Sequence, residues 1–270
     1  MRREKNTRQL YRGPMKAPFS FEGLKMLLLG IDLETDGLDV VNGNIIEIGA
    51  ILCSSKDFAP ILIYSQLVAL PSGVALPQEI TDITGITQEL LNAYSCLPED
   101  AFDGLEHMIS NADYLVGHNS KMFDQPFLEN SFKRVGRKFP GKPWIDTSVD
   151  VPYPEKMKTR KLTHLAAEHN FLNPFAHRAY ADVLTMLRVL SHYDIDAIIE
   201  TSKLPDILLP VCMKPWEDKA PEGKKQTDLA RGRGYRWEGT TKRWLKTVKE
   251  NRLDSELMHS DFQVQRVHSL

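Results

Sequence analysis

The chain is poor in the features that announce several protein classes. Its three cysteines, Cys53, Cys96 and Cys212, lie far apart and form no CxxC. That argues against a disulfide framework or a Cys-rich zinc site and fits a reducing, cytoplasmic setting. No apolar run is long enough to cross a bilayer, so no membrane contact is expected. The first residues lack the apolar centre of a secretory leader. No long-period repeat recurs, which excludes a solenoid or propeller. Net charge is only -2, so bulk charge does not mark a nucleic-acid binder. Any such contact must come from a local patch.

What is present is ordinary for a globular protein: 270 residues, 42% hydrophobic and 26% charged. That suits one large domain, or a domain with a small appendage. Residues 1–24 are basic and aperiodic (Arg2, Arg3, Lys5, Arg8, Arg12, Lys16) and are expected to be a disordered tail. Prolines 205, 210, 215 and 221 mark an expected linker over residues 205–225. Between tail and linker, residues 25–204 form the expected main domain. Residues 226–270 form a small module with two strands around EGTTK and short flanking helices. Its Arg231, Arg233, Arg236, Lys242, Arg243, Lys246 and Lys249 interleave with Tyr235, Trp237 and Trp244. The basic residues suit phosphate contact. The two tryptophans are expected to form the module's core, because so small a unit needs its aromatics inside.

The main domain is organised around residues 26–37, MLLLGIDLETDG. An apolar run ending at a turn signal predicts a buried strand. Alternation puts Asp32 and Glu34 on one face. Two carboxylates at the end of a buried strand repel each other and are costly to bury, and a hard divalent cation resolves both problems. Alone, the pair also fits a solvated strand end. Strands over residues 44–54 and 61–70 close an antiparallel meander. Glu47, between Ile46 and Ile48, faces away from them and is left out of the site. Residues 75–92 read as loop and short helical pieces, with Thr87 as a cap. A helix over 98–111, a strand over 113–119 and a helix over 123–135 follow. Then come a strand over 144–147 and helices over 162–169 and 179–193. The order predicts a mixed sheet with helices on it. Asp124 and Asp182 fall in first helical turns, where an acid can also serve the helix dipole alone.

Taken together these residues resemble a known pattern. Asp32-Leu33-Glu34-Thr35 with Gly37-Leu38, then Val116-Gly117-His118-Asn119 with Phe123-Asp124, then His177 and Asp182 in a His-x4-Asp spacing are similar to the three motifs of the DEDDh 3′–5′ exonucleases. That is the family of the polymerase III epsilon subunit (DnaQ-like), and the resemblance covers residues 25–193. It implies an α/β, ribonuclease H-like fold: a mixed five-stranded sheet with flanking helices, to which the chain adds a small C-terminal α+β module. It implies two Mg²⁺ or Mn²⁺ ions held by Asp32, Glu34, Asp124 and Asp182, with His177 as general base. The terminal nucleotide is expected against Thr35, Leu38 and Asn119, with His118 nearby. The implied substrate is a single-stranded 3′ end, DNA ahead of RNA, with a DNA polymerase as a further partner and nucleoside 5′-monophosphates as products. The competing readings are an RNA-trimming enzyme of the same fold and a non-catalytic nucleic-acid-binding or polymerase-associated module.

Overall fold

Alternation in the first strand gives the main domain a core on each face of its sheet. A computed structural model describes residues 26–154, 157, 159–210, 226–239 and 242–258. The basic tail, Cys212 and most of the expected linker lie outside them. β1 (Leu27–Thr35), β2 (Ile45–Ser54) and β3 (Pro60–Leu67) form an antiparallel meander. β4 (Tyr114–Gly117) adds in parallel to the other side of β1, and β5 (Trp144–Asp146) in parallel to β4. The resulting order, β3-β2-β1-β4-β5, is a mixed five-stranded sheet, as the resemblance implies.

Leu27, Leu29, Ile31 and Leu33 point to one face. There they pack with α3 (Pro98–Ser110) and α4 (Asp124–Arg134) through Phe102, Leu105, Phe127 and Phe132. α1 (Gln78–Thr84) and α2 (Gln88–Tyr94) lie between β3 and α3, and Thr87 caps α2 by accepting from the Leu90 amide at 3.2 Å. Leu28 points to the opposite face, with Ile51 and Val116. That face is covered by α5 (Leu162–Glu168), α6 (Ala179–Leu190) and α7 (Ile195–Ser202). In α6 the expected Val183, Met186, Leu187 and Leu190 are all buried. α7 escaped the sequence reading although Asp194 caps it, accepting from the Asp196 and Ala197 amides. β3 stops at Leu67 rather than residue 70. Val68 pairs only as an isolated bridge to Cys96, and Pro71 then removes a donor.

Residues 206–210, expected to open a linker, form instead β6 (Asp206–Pro210). Its Ile207-Leu208-Leu209 run is strand-like, and prolines sit only just before it and at its end, where a ladder tolerates them. β6 pairs with β8 (Arg243–Lys249), which pairs with β7 (Arg236–Glu238), all antiparallel. α8 (Gln226–Gly232) and α9 (Leu253–Met258) flank this sheet. Its core is Leu209, Ala230, Tyr235, Val248 and Leu253. The tryptophans are therefore not the core as expected: Trp244 only packs against it, and Trp237 is 52% exposed. The apolar residues of β6, which a linker would not supply, fill the interior instead.

Candidate active site

Strand register decides which acids meet. Asp32 lies opposite Gly49 and Glu34 opposite Glu47, so all four share the face that α6 covers. The glycine is required there. A Cβ on Gly49 would come within 2.3 Å of the Ala179 carbonyl carbon and 2.4 Å of the Tyr180 nitrogen. This close approach brings the first turn of α6, and Asp182 with it, down onto the ends of β1 and β2. Oxygens of Glu34 and Asp182 and a ring nitrogen of His177 all lie within 4.8 Å of one another.

The loop before α6 is shaped for this. His177 has a φ of 64°, a left-handed conformation unfavourable for a residue with a Cβ. That bend aims its backbone N–H at Asp182 Oδ2, at 2.8 Å. Asn173 Nδ2 donates to the other oxygen, Oδ1, at 2.6 Å. Both oxygens of Asp182 are thus fixed in direction. His177 is exposed, yet its ring is turned toward the acids rather than away.

Asp124 opens α4 at the end of the loop that follows β4, and is buried. Burial and the charge of Asp146 push its carboxyl up to about 7, against hydrogen bonds from its own backbone and that of Leu33. The Leu33 contact ties α4 to β1. Asp32 is held well above the usual carboxylate range, by burial first and then by Asp124, Glu34, Asp182 and Glu47. Glu34 is pushed up to about 8 by burial, Asp182, Glu47 and Asp124, with Arg178 opposing. Asp182 is raised as well, chiefly by burial. These are the signs of carboxylates packed without enough positive charge. Four hard oxygen donors in that state fit a divalent cation, which would relieve the repulsion.

Glu47, which sequence reasoning left out of the site, borders it in the structure. It faces away from Ile46 and Ile48, but that other side is the site. Its buried carboxylate takes Arg178 through Nε and Nη2 and accepts the Ala179 amide at 2.9 Å. It therefore fixes the start of α6. Only the pairing of Glu34 with Glu47 reveals this, and register is not written in either strand alone. Asn173 carried no signal beyond its nearness to Asp182.

The expected nucleotide contacts scatter more. Thr35 is buried and donates its hydroxyl to the Gly37 carbonyl at 2.6 Å. Leu38 is 87% exposed. Asn119 has a φ of 66°, and its amide donates to Asp146 Oδ1 at 2.9 Å. His118 is turned aside, with Nδ1 at the Thr147 hydroxyl and Nε2 at the Arg160 carbonyl. Burial lowers its pKa, and the charges of Arg236 and Arg160 push the same way.

This geometry agrees with three comparisons. The family model RNase_T, described as Exonuclease, matches residues 29–190. A DNA polymerase III PolC-type from Thermotoga petrophila is 30% identical over 205 residues, 73% of this chain and 14% of that protein. One from Clostridium perfringens is 30% identical over 165 residues, 59% of this chain and 10% of that protein. The chain thus spans about a seventh or less of these relatives. Among solved structures, the nuclease domain of the DEDDh family member 3′hExo, bound to rAMP, superposes with a TM-score of 0.52. It is 18% identical and covers 62% of this chain and 90% of that one. The zinc-bound E. coli ExoI–ssDNA complex superposes with a TM-score of 0.57, at 16% identity over 90% of this chain and 65% of that one. With the family model spanning all three motifs, the chain belongs to the exonuclease family, as a DEDDh, DnaQ-like member.

Proposed function

We propose that the protein is a 3′–5′ exonuclease that removes nucleotides from single-stranded DNA with Mg²⁺ or Mn²⁺. The observation that carries this reading is the meeting of Glu34, Asp182 and His177 within 4.8 Å, beside Asp32 and its electrostatic partner Asp124. Asp32, Glu34, Asp124 and Asp182 would hold two divalent ions. Such ions neutralise the phosphodiester charge and make water a better nucleophile.

The chain's own residues do the rest. His177 sits on an exposed loop at the edge of the acids, where its free ring nitrogen can take a proton from the attacking water. Asp182 holds the His177 backbone, so the base and one ligand move together. Glu47 and Arg178 hold the first turn of α6 beneath them. Leu38 offers an exposed apolar side chain for a terminal base to stack on, with Thr35 and Asn119 as further proposed contacts; His118, its ring held by Thr147 and Arg160, would act through the loop it shares with Asn119. The exposed Trp237, near Trp244 and with Arg231 over the Trp244 ring, offers a stacking surface for the strand beyond.

DNA is favoured because curated relatives of the chain are DNA polymerases of the PolC type, and a DNA polymerase is accordingly the partner we expect, in a cytoplasmic setting. The rAMP held by 3′hExo supports RNA as the second choice. The test is to digest DNA and RNA oligomers of one sequence and identify the products by chromatography. Nucleoside 5′-monophosphates, released faster from DNA, are expected. Nucleoside 3′-phosphates or internal fragments would overturn the reading, and faster release from RNA would transfer it to the second substrate.

A further inference from the structure

We propose that the C-terminal three-stranded sheet braces the loop carrying Asn119 and Asp124, with Lys249 and Arg252 as positioning residues; this rests on the exonuclease reading of the site. Four charges of alternating sign close a ring between the two sheets. Lys249 Nζ lies 3.0 Å from Asp150 Oδ1 and 2.8 Å from Asp206 Oδ1, and Lys121 Nζ lies 2.7 Å from Asp206 Oδ2 and 3.7 Å from Asp150 Oδ1. Lys121 and Asp150 belong to the exonuclease domain, Asp206 and Lys249 to β6 and β8. The side chains of Lys249 and Asp150 are both fully buried. Lys249 also donates to the Ser202 and Leu204 carbonyls. Beside the ring, Arg252 donates to the carbonyls of Val149, Asp150 and Val151.

The ring connects to the site through backbone amides. Asp150 Oδ2 accepts the Asp146 amide at 2.8 Å. Asp146 in turn accepts the Asn119 amide at 2.9 Å and the Lys121 amide at 3.2 Å. Asp124 stands three residues after Lys121. The turn over residues 146–151 is therefore gripped from outside by Lys249 and Arg252, and from inside it holds the loop that delivers Asp124. A buried ion pair adds little net stability but is costly to break from one side, because a lone buried charge remains. Loss of Lys249 would leave Asp150 in that condition and loosen its hold on Asp146.

The test uses the full chain with Lys249→Met, Lys249→Arg, Arg252→Gln and the double variant Asp150→Asn/Lys249→Met. Amide hydrogen exchange is read at Asn119, Lys121 and Asp146, with kcat and KM on one oligonucleotide. In Lys249→Met, faster exchange at these amides and a kcat lower by roughly tenfold or more are expected, with KM within about threefold. Adding Asp150→Asn removes the stranded charge and is expected to restore most of both, since an amide oxygen can still accept from Asp146. Lys249→Arg is expected to stay close to the parent. If Lys249→Met does not fold, Arg252→Gln, which strands no charge, is expected to show the same pattern more weakly. Unchanged exchange and kcat in the folded variants would overturn the brace. So would a loss confined to KM and untouched by Asp150→Asn, which would make Lys249 a substrate contact. A parent protein that cuts nothing would refute the exonuclease reading, while the exchange data would still judge the brace.

Discussion

Asp182 accepts the backbone N–H of His177, so the proposed ligand and the proposed base are one structural unit. Replacing either Asp182 or His177 by Ala is expected to lower turnover by about a hundredfold or more, with the thermal melt little changed, because His177 is exposed and Asp182 half-exposed. A rate close to that of the parent would remove the residue from the site. The acids also set a pH dependence. Glu34 is raised from 4.5 to about 8 and Asp124 from 3.8 to about 7. A carboxyl whose folded pKa is raised stabilises the fold when protonated, fully below its unfolded value and no longer above its folded one. In EDTA, the melting temperature is therefore expected to fall as pH rises from about 4.5 to about 8. Mn²⁺ at the upper end is expected to restore it by binding the folded state. A flat melting profile in EDTA would contradict crowded, unneutralised acids. At this scale the motif residues were legible because chemistry and spacing mark them. Glu47 and Asn173 were not, because their roles depend on a cross-strand neighbour and on a loop's path.

Gly49 and Gly30 carry the argument to the level of elements. At these two positions α6 lies so close to β1 and β2 that a side chain does not fit beneath it. A Cβ on Gly49 meets helix backbone, while one on Gly30 meets Val183 Cγ1 at 2.6 Å. Gly49→Ala is expected to lift the first turn of α6, lower metal affinity and turnover, and cost about 1–3 kcal/mol in chemical denaturation. Gly30→Ala is expected to be rescued by Val183→Ala, whereas trimming side chains cannot rescue Gly49→Ala. Equal rescue of both would mean that helix contact does not position Asp182. The period-two and helical patterns made the meander and α6 legible, since each buries a repeating face. β6 was hidden by its flanking prolines, and α7 by its shortness.

Over the whole molecule, the basic residues of the second sheet and of the turn after it fall into two groups. Lys249, at the end of β8, and Arg252, in the turn that follows, reach the exonuclease domain. Arg236, Trp237 and Arg243 are exposed. The triple replacement of these three by Ala is expected to weaken oligonucleotide binding and reduce the salt slope by roughly 1.4, for two phosphates on a single strand. Turnover at saturation is expected to persist, and an unchanged slope would deny this surface a part in binding. The basic and aromatic composition was readable from the sequence; which of these residues reach the exonuclease domain and which stay exposed was not, because Lys249 meets Asp150 and Asp206 only through the pairing of β8 with β6 and the packing of that sheet on the main domain. Metal-dependent shortening from the 3′ end is tested most directly with 5′-labelled single-stranded DNA in Mg²⁺, Mn²⁺ or EDTA, using the parent protein and Asp32→Ala. A ladder that shortens from the 3′ end in either metal, and is absent in EDTA and in the variant, is expected. Binding without any cleavage, or a ladder that persists in Asp32→Ala, would contradict it.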